Sequence, residues 1–461
     1  MANIAPLQAI RYPQQNQTTV VAPPYDVLSG EDKSRLLARD GHNVVAMDLP
    51  HIPPKEAGPD AAYDAAGHTL RMWLEAGILK QDEKPALYAY QQTYTYAGTT
   101  YKRRGVFARV RLEEFSTGGD EGGSIHPHEQ TFSGPKEDRL KLMRATKANL
   151  SPVFGLYDDK ANDVTDLLFE AVNAAGGTGK PLAAAELPSQ DGKSVVLSEL
   201  WAVTDIAVIK DIQLMMADKH LYIADGHHRY TTCLNYRKEV SAARGMPLEH
   251  NDPANFALFV LIAMQDPGLI ILPTHRVVAA ASLENFYLEK FEDVAEKYCQ
   301  VLETKHRGDS LGALEHDLRE GSFGPHAMGV YDPVEDRAVV IKPVSEDPLG
   351  QFEKEPAMAG KSAAWRQLDV AILQHLVFEK IVGPNFGKAG VKMSWAFPHE
   401  AHEVAGLCRA GGGNEYRVGF LLQPTPLTAV RDLCNANELM PQKSTFFYPK
   451  LATGMVVNSL E

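Results

Sequence analysis

The sequence predicts an α/β (α+β) fold, and three segments carry this prediction. Phe256 to Met264 is a continuous apolar run, which is typical of a central strand buried on both faces. Leu87 to Tyr96 and Gly105 to Leu112 are rich in aromatic and β-branched residues and flank a glycine turn, which predicts an antiparallel hairpin. Leu221 to Tyr230 reads as an apolar strand that enters a glycine turn and then a helix.

The first third of the chain predicts helices before the hairpin and a loop after it. Ser29 is a good N-cap for a helix that ends near Arg39, since acidic residues follow it in the first turn. A second helix is expected over Tyr63 to Glu75, before Gly77. Ser116 to Gly123 is rich in glycine and predicts a mobile loop that leads directly into Ile125 to Gln130.

The middle of the chain predicts a charged helix and further strands. Pro135 opens a helix in which apolar and basic residues alternate around the faces. Its basic side is either a neighbour of a phosphate or a solvated surface. Val153 to Tyr157 and Trp201 to Ile209 read as strands, and Leu269 to Leu272 leads into Pro273 to Arg276.

From about residue 278 onward the hydrophobic pattern changes to that of longer amphipathic helices, which predicts two domains, 1–278 and 279–461. The second domain is expected to be α/β. Its helices are predicted over Leu283 to Leu302, Leu311 to Leu318 and Leu368 to Val382, and its strands over Val339 to Lys342 and Arg417 to Gln423.

Composition narrows the class of protein. Hydrophobic residues make up 44% and charged residues 23% of the 461 positions, as in ordinary soluble globular proteins. The formal net charge of −13 argues against binding to nucleic acid that depends mainly on electrostatic attraction. The four cysteines lie far apart and form no Cys-x-x-Cys pair, which favours a reducing compartment. No signal peptide or long apolar span is visible, so we expect a cytoplasmic protein without a membrane partner.

The segment Asp225-Gly226-His227-His228-Arg229 is the strongest candidate site. A strand that turns through glycine into a helix directs unpaired N–H groups at one point, which suits an anion. Arginine adds a planar fork for phosphate oxygens, and histidine can donate hydrogen bonds or protons. The pattern therefore indicates a phosphate-binding turn, against the alternative of a structural turn with surface side chains.

Glu129 is the candidate general base. It stands beside His126 and His128 after the glycine-rich loop, where it could accept the proton of a substrate hydroxyl during group transfer. His126, His128 and Glu129 could instead chelate a metal ion, although Pro127 constrains the approach.

Two further segments resemble known motifs but lack residues that those motifs require. Residues 176–181 look like a phosphate loop, but Ala174 replaces the first glycine and Pro181 the final Ser or Thr. His399 to Glu403 looks like a zinc-protease helix, but position 403 lacks the second histidine, so a charged helix start is the better interpretation.

Along nearly its whole length the chain resembles the family of domain of unknown function 1015. The resemblance depends on Ala22 to Val27, His126 to Gln130, Ala224 to Tyr230 and Met440 to Lys450. Three segments also resemble the archaeal free serine kinases of the ParB/sulfiredoxin-like superfamily: Pro127 to Gln130, Leu221 to Tyr230 and Pro441 to Thr445. This resemblance implies a ParB/sulfiredoxin-like mixed-sheet core with large insertions.

The resemblance also implies residue roles. Glu129 would be the catalytic base, with His128 beside it, and Asp225 to Arg229 would handle the nucleotide phosphates. Lys443, Ser444 and Thr445 would help to grip an amino acid. Tyr25, Asp26, His275 and Arg276 are possible site residues without an assigned counterpart. Sulfiredoxin chemistry is not expected, because the loop has no cysteine and Cys233 lies a helical turn further on.

Together the residues and the resemblance predict a kinase. We expect it to transfer a phosphoryl group from ATP or ADP to the hydroxyl of free L-serine or a similar metabolite, with Mg²⁺ bridging the phosphates and Asp225 positioning the metal. The alternatives are a ParB-like nucleotide-dependent switch without a small-molecule acceptor, and metal-dependent hydrolysis at the histidines. DNA binding is not expected, since no helix-turn-helix is visible. The acceptor, the nucleotide and the oligomeric state stay open.

Overall fold

A computed structural model of the chain describes residues 2–116, 123–129, 133–174, 180–189, 192–410 and 415–461. It divides the chain into two compact units, Met1–Ile270 together with Pro449–Glu461, and Ile271–Tyr448. This division is close to the boundary predicted near residue 278. It differs in the final segment, which belongs to the first unit because Thr453 and Val457 form backbone hydrogen bonds with Ala22 and Ile10.

The strands in chain order are β1 Ile4–Ala5, β2 Ile10–Arg11, β3 Lys80–Gln81, β4 Leu87–Tyr96, β5 Thr99–Arg111, β6 Ile125–His126, β7 Ala148–Asn149, β8 Val153–Tyr157, β9 Ala183–Pro188, β10 Val195–Val203, β11 Leu221–Asp225, β12 Phe256–Ala263, β13 Ile270–Leu272, β14 Arg276–Ala279, β15 Cys299–Glu303, β16 Met328–Asp332, β17 Arg337–Pro343, β18 Trp395–Ala396, β19 Tyr416–Leu421, β20 Phe446–Tyr448 and β21 Asn458–Ser459.

The α-helices in chain order are α1 Gly30–Arg39, α2 Val45–Asp48, α3 Asp60–Glu75, α4 Ser133–Thr146, α5 Asp163–Ala174, α6 Ile206–Met216, α7 His227–Arg244, α8 Leu288–Ala295, α9 Leu311–Arg319, α10 Ala363–Arg366, α11 Asp369–Ile372, α12 Gly383–Phe386, α13 Ala401–Arg409 and α14 Leu427–Asn435. One of several 3₁₀ turns covers Tyr25–Val27, and a π-helical stretch covers Leu373–Val382.

A mixed sheet forms the centre of the first unit. Within the described residues its strand order is β6-β11-β8-β12-β5-β4-β10-β9, with β1 paired to β5. The β6–β11 and β8–β12 pairs are parallel, and the other pairs of this sheet are antiparallel. All eight residues of β12 are buried, which confirms the central strand that the apolar run predicted. The hairpin of β4 and β5 is also confirmed.

Two predicted elements differ from the structure. The run Trp201 to Ile209 is not one strand: β10 ends at Val203, and Asp205 caps α6 by accepting hydrogen bonds from the Ala207 and Val208 amides at 2.8 and 3.3 Å. Leu283 to Leu302 is not one helix, because α8 is short and Cys299–Glu303 pairs with β17 instead. In the first segment a local cap at Asp205 begins the helix, and in the second the pairing of β15 with β17 decides the conformation.

The second unit contains an antiparallel sheet of order β15-β17-β16-β19-β14-β18. Its apolar core includes Leu311, Leu314 and Leu318 of α9, which lie three and four residues apart on one helix face. The predicted strands near 339–342 and 417–423 are confirmed as β17 and β19. Among the described helices of either unit, none combines the length and the apolar character that a membrane crossing needs.

Candidate phosphate-binding site

The turn between β11 and α7 has the geometry that the sequence predicts. Gly226 has φ +94° and ψ +25°, a left-handed conformation that glycine adopts without steric cost. Helix α7 begins at the next residue, His227. The first amides of an α-helix have no acceptor within the helix and carry the positive end of its dipole. The turn therefore directs polarised N–H groups toward the carboxyl end of β11.

Asp225 ties this turn to the end of the chain. Its Oδ2 lies 2.6 Å from the Lys450 ammonium and its Oδ1 lies 3.5 Å from the Arg229 guanidinium. Burial opposes ionisation of the carboxyl, but the two cations outweigh it and hold the pKa of Asp225 well below its usual range. Asp225 is therefore ionised at neutral pH and anchors both cations.

Arg229 is buried beneath the turn rather than extended from it. Its Nη1 donates to the Pro152 carbonyl, and a side chain at position 226 would come within 3.1 Å of the guanidinium Cζ. Direct binding of a phosphate by Arg229 therefore stays a prediction. The contacts of Arg229 favour a supporting role, in which it stabilises the turn by bonding to the Pro152 carbonyl and to Asp225.

Strand pairing brings the Glu129 segment to the same turn. Strand β6 runs parallel to β11, with His126 opposite Tyr222. Beyond the paired residues, the His128 amide donates to Nε2 of His227 at 3.3 Å, and the two imidazole rings meet edge to face at 4.6 Å. Glu129 follows His128 directly in the chain and is half-buried. The candidate base and the phosphate-binding turn are thus neighbours, although about a hundred residues separate them in sequence.

The two packed histidines are neutral. His128 Nδ1 lies 2.7 Å from the Ile223 carbonyl, which can only accept, so Nδ1 carries the proton. His227 accepts a hydrogen bond at Nε2, so that nitrogen is unprotonated. Burial lowers the pKa of both rings below their ordinary value, and mutual repulsion with His128 lowers the pKa of His227 further. Burial also lowers the pKa of His228, which is half-buried.

A buried polar layer lies next to the turn. Arg139 of α4 donates to the Asp48 carbonyl and to Asp138 Oδ2, both at 2.7 Å, and Ser151 donates to Asp48 Oδ1 at 3.1 Å. A small cavity of about 30 Å³ has Asp48, Arg139, Ser151 and Arg229 in its wall. This layer ties α4 to Asp48 at the end of α2 and, through Asp48, to Ser151 before β8. The Arg139 side of α4 is therefore an internal support rather than a solvated face.

Tyr25 and Asp26 belong to the same cluster. The buried Tyr25 ring lies under the Arg139 guanidinium, 3.9 Å from its centre to Cζ, and burial raises the pKa of its hydroxyl. Asp26 acts electrostatically on His228, as does Lys136 of α4. Oδ1 of Asp26 is shielded from solvent and has no hydrogen-bond partner within the described part of the chain.

His126 faces away from this cluster. Its Nε2 lies 2.7 Å from Nδ1 of His220, and its ring stacks on Tyr222. His126 and His128 therefore engage different neighbours. In the described ranges, no three His, Cys, Asp or Glu side chains converge as a metal site, and this includes His126, His128 and Glu129.

The remaining predicted site residues lie in the second unit. His275 is buried, accepts from the Leu422 amide at 3.0 Å and lies 3.4 Å from Glu315. Arg276 donates to the Lys443 carbonyl at 3.0 Å, so it shapes the backbone of the predicted substrate segment. Lys443 is exposed, Thr445 is half-buried and Ser444 is buried with its hydroxyl on the Pro441 carbonyl. Their role in gripping an amino acid stays a prediction.

Glu400 and Glu403 form a capping box at the start of α13, which is the charged helix start that the sequence predicts. Burial raises the pKa of Cys233 to about 12, so its thiol stays protonated and unreactive. The rejected phosphate loop falls largely on residues 175–179, and most of the predicted glycine-rich loop on 117–122. Both of these stretches lie outside the described residues.

Lys450, Asp48 and Ser151 are site residues that sequence reasoning missed. Lys450 stands at the end of one of the motifs that carry the family resemblance, which is the only signal that pointed to it. Nothing in the local sequence indicates that Lys450 pairs with Asp225, because the contact spans 225 residues.

The comparisons with known proteins support the family. The model of a family described as "Protein of unknown function (DUF1015)" matches residues 4–371, which confirms the predicted family resemblance over that range; the motif Met440 to Lys450 lies outside it. The broader ParB/sulfiredoxin-like relationship stays a prediction. No curated protein matches the chain.

Solved structures similar to the chain include a free serine kinase in complex with AMP, at 12% identity and a TM-score of 0.30, covering 72% of this chain and 89% of that one. A conserved hypothetical protein from Pyrococcus furiosus has 13% identity and a TM-score of 0.30, covering 73% and 92%. C-terminally truncated SbnI from Staphylococcus aureus has 10% identity and a TM-score of 0.32, covering 73% and 84%. Identities and TM-scores this low support no inference about activity.

Proposed function

The chain belongs to the DUF1015 family of proteins of unknown function, and from the geometry of its phosphate-binding turn we propose that it is a small-molecule kinase. The donor would be ATP or ADP, and the acceptor would be the hydroxyl of free L-serine or a similar metabolite. One observation carries the proposal: the hydrogen bond from the His128 amide to His227 joins the segment that ends in Glu129 to the N-terminus of α7.

Phosphoryl transfer needs a held phosphate and an aimed nucleophile. The amides at the start of α7 would hold the phosphate to be transferred, with Lys136 as a nearby cation that already acts on His228. Glu129 would receive the proton of the acceptor hydroxyl. The acceptor oxygen then bonds to phosphorus as the bond from phosphorus to the bridging oxygen of the donor breaks, and the shortened nucleotide leaves with the negative charge.

The neutral histidines support this division of roles. His227 and His128 are packed together and cannot both carry a proton at low cost in their buried positions. They would therefore shape the pocket and hold the Glu129 segment, while the carboxylate serves as the base. Asp225 would act through Lys450 and Arg229, since both of its oxygens already face cations.

A directly bound Mg²⁺ does not fit the contacts of Asp225, because a metal would have to displace Lys450 or Arg229. In kinases Mg²⁺ commonly binds through nucleotide phosphates and one or two carboxylates. Mg²⁺ would therefore bind together with the nucleotide rather than to Asp225.

The test is a coupled assay with the full chain, ATP or ADP, Mg²⁺ and L-serine. Glu129→Gln keeps the shape of the side chain but removes the base, and we expect kcat to fall by about 10²–10³. The matched control is Glu170→Gln on the exposed face of α5, which should leave kcat unchanged. Calorimetry with AMP should give the same Kd for wild type and Glu129→Gln, because Glu129 acts on the acceptor.

Unchanged phosphoserine production by Glu129→Gln would remove the base assignment. Nucleotide hydrolysis without transfer to any acceptor would favour the alternative, a nucleotide-dependent switch. A partner protein or DNA that stimulates this hydrolysis would strengthen that alternative.

A further inference from the structure

The Asp26 carboxylate stands out because it forms no ion pair within the described residues around the turn. Asp225 pairs with Lys450 and Arg229, and Asp48 and Asp138 share Arg139, so these three cations are engaged by other aspartates. Lys136 of α4 is a further cation near the turn, since it acts on His228 as Asp26 does, but it forms no ion pair with Asp26 there.

Burial makes the lack of a partner costly. Oδ1 of Asp26 is shielded from water and accepts no hydrogen bond from any described group. Asp26 is half-buried as a residue, but a carboxylate oxygen that is shielded from water and has no partner loses solvation, so a buried atom of this kind calls for a partner. The missing partner is a hydrogen-bond donor, and a cationic donor forms the stronger bond with a carboxylate.

The position of Asp26 is fixed by its neighbours. Pro23 and Pro24 stiffen the approach to the single turn Tyr25–Val27, and the Tyr25 ring is held against Arg139. Asp26 also lies within electrostatic reach of His228 in the first turn of α7. The backbone that carries Asp26 is therefore held beside the phosphate-binding turn by the buried Tyr25 ring.

We propose that Asp26 binds the ammonium group of an amino-acid acceptor and so selects amino acids over hydroxy acids. This inference rests on the proposed kinase function and names a specificity residue for it. An ammonium group can satisfy the unpartnered carboxylate oxygen directly, whereas Mg²⁺ at Asp26 would also need phosphate oxygens of the nucleotide or waters as ligands. An ammonium needs only one carboxylate and a few neutral acceptors.

Calorimetry in the presence of AMP measures acceptor binding directly. AMP is not a phosphoryl donor in the proposed reaction, so the acceptor is not phosphorylated during the titration. The probes are L-serine and glycerate, which differ in the amino group. For Asp26→Asn we expect the Kd of L-serine to rise by about 10- to 100-fold, the loss typical of a charge-assisted hydrogen bond. The Kd of glycerate should stay the same or fall, and the Kd of AMP should stay within about threefold.

Asp64→Asn on the exposed face of α3 is the matched control and should change none of these constants. Thermal melting of both variants separates loss of recognition from loss of folding. If Asp26→Asn is poorly folded, Asp26→Glu serves as the second variant: it keeps the carboxylate and should retain part of the affinity for L-serine. Equal weakening of L-serine and glycerate, or no change in either, would overturn the assignment. Loss of Mg²⁺-dependent nucleotide affinity would assign Asp26 to a metal instead.

The result is distinguishable from failure of the kinase proposal. If wild type transfers no phosphate but binds L-serine in an Asp26-dependent manner, the ammonium site stands and the transfer step is wrong. If wild type binds glycerate as tightly as L-serine, the ammonium site is wrong whether or not phosphate is transferred.

Discussion

Lys450→Met should destabilise the first unit more than the loss of an ordinary surface charge. The side chains of Lys450 and Asp225 are only 14% and 18% exposed, and their charged atoms lie 2.6 Å apart. Removal of one partner from a buried ion pair costs about 3–5 kcal/mol, because the other charge stays buried. Arg229 remains 3.5 Å from the carboxylate, so we expect a loss near the lower end, about 3 kcal/mol.

The assay is urea unfolding of four proteins, which are wild type, Lys450→Met, Asp225→Asn and the double variant. The double variant should be less destabilised than the sum of the single variants, because the uncharged amide no longer needs a cation. The matched control is Lys238→Met, which removes the cation of an exposed pair with Glu114, in which both side chains are 60% exposed. Its cost should not exceed about 1 kcal/mol.

Two outcomes would refute this reasoning. A Lys450→Met variant as stable as Lys238→Met would show that the Asp225 contact contributes nothing beyond a surface pair. Additive single variants would show that the two side chains act independently, so the turn would be held by its glycine and helix alone.

The other predictions concern the turn and the residues behind it. Gly226→Ala should lower the free energy of unfolding by about 1–2 kcal/mol in the same urea assay, because φ is +94° and the new methyl group would press on Arg229; an unchanged midpoint would contradict the left-handed turn. The folded-state pKa of His128 and His227 lies below the ordinary 6.5, so the unfolded chain takes up protons first and stability should fall as pH drops below 6.5, by at most about 1.4 kcal/mol per pH unit for each ring. His227→Gln should flatten this profile, and an equally steep profile in that variant would assign the effect to other groups. Cys233 should resist thiol reagents at neutral pH until the chain unfolds, since its pKa is raised to about 12; rapid labelling of the native protein, read by mass spectrometry, would contradict its burial.

Local sequence predicted much of the first unit because local physics governs those elements. The apolar run of β12, the glycine turn before α7 and the Ser29 cap of α1 each satisfy their own backbone or burial needs within a few residues. The same reasoning failed over Trp201 to Ile209 and Leu283 to Leu302. Over Leu283 to Leu302, apolar residues fit either conformation and the pairing of β15 with β17 decided the outcome. Over Trp201 to Ile209, the Asp205 cap begins α6 and so divides the apolar run.

The candidate site divides in the same way. The sequence by itself determined that Asp225 to Arg229 form a strand–turn–helix junction suited to an anion, because that geometry depends on a glycine and a helix start. Only the tertiary structure decided that Glu129 stands next to this turn, that Lys450 neutralises Asp225 and that Oδ1 of Asp26 finds no hydrogen-bond partner among the described residues. Those facts depend on the parallel pairing of β6 with β11 and on the return of the C-terminal segment, and neither contact has a local signature in the chain.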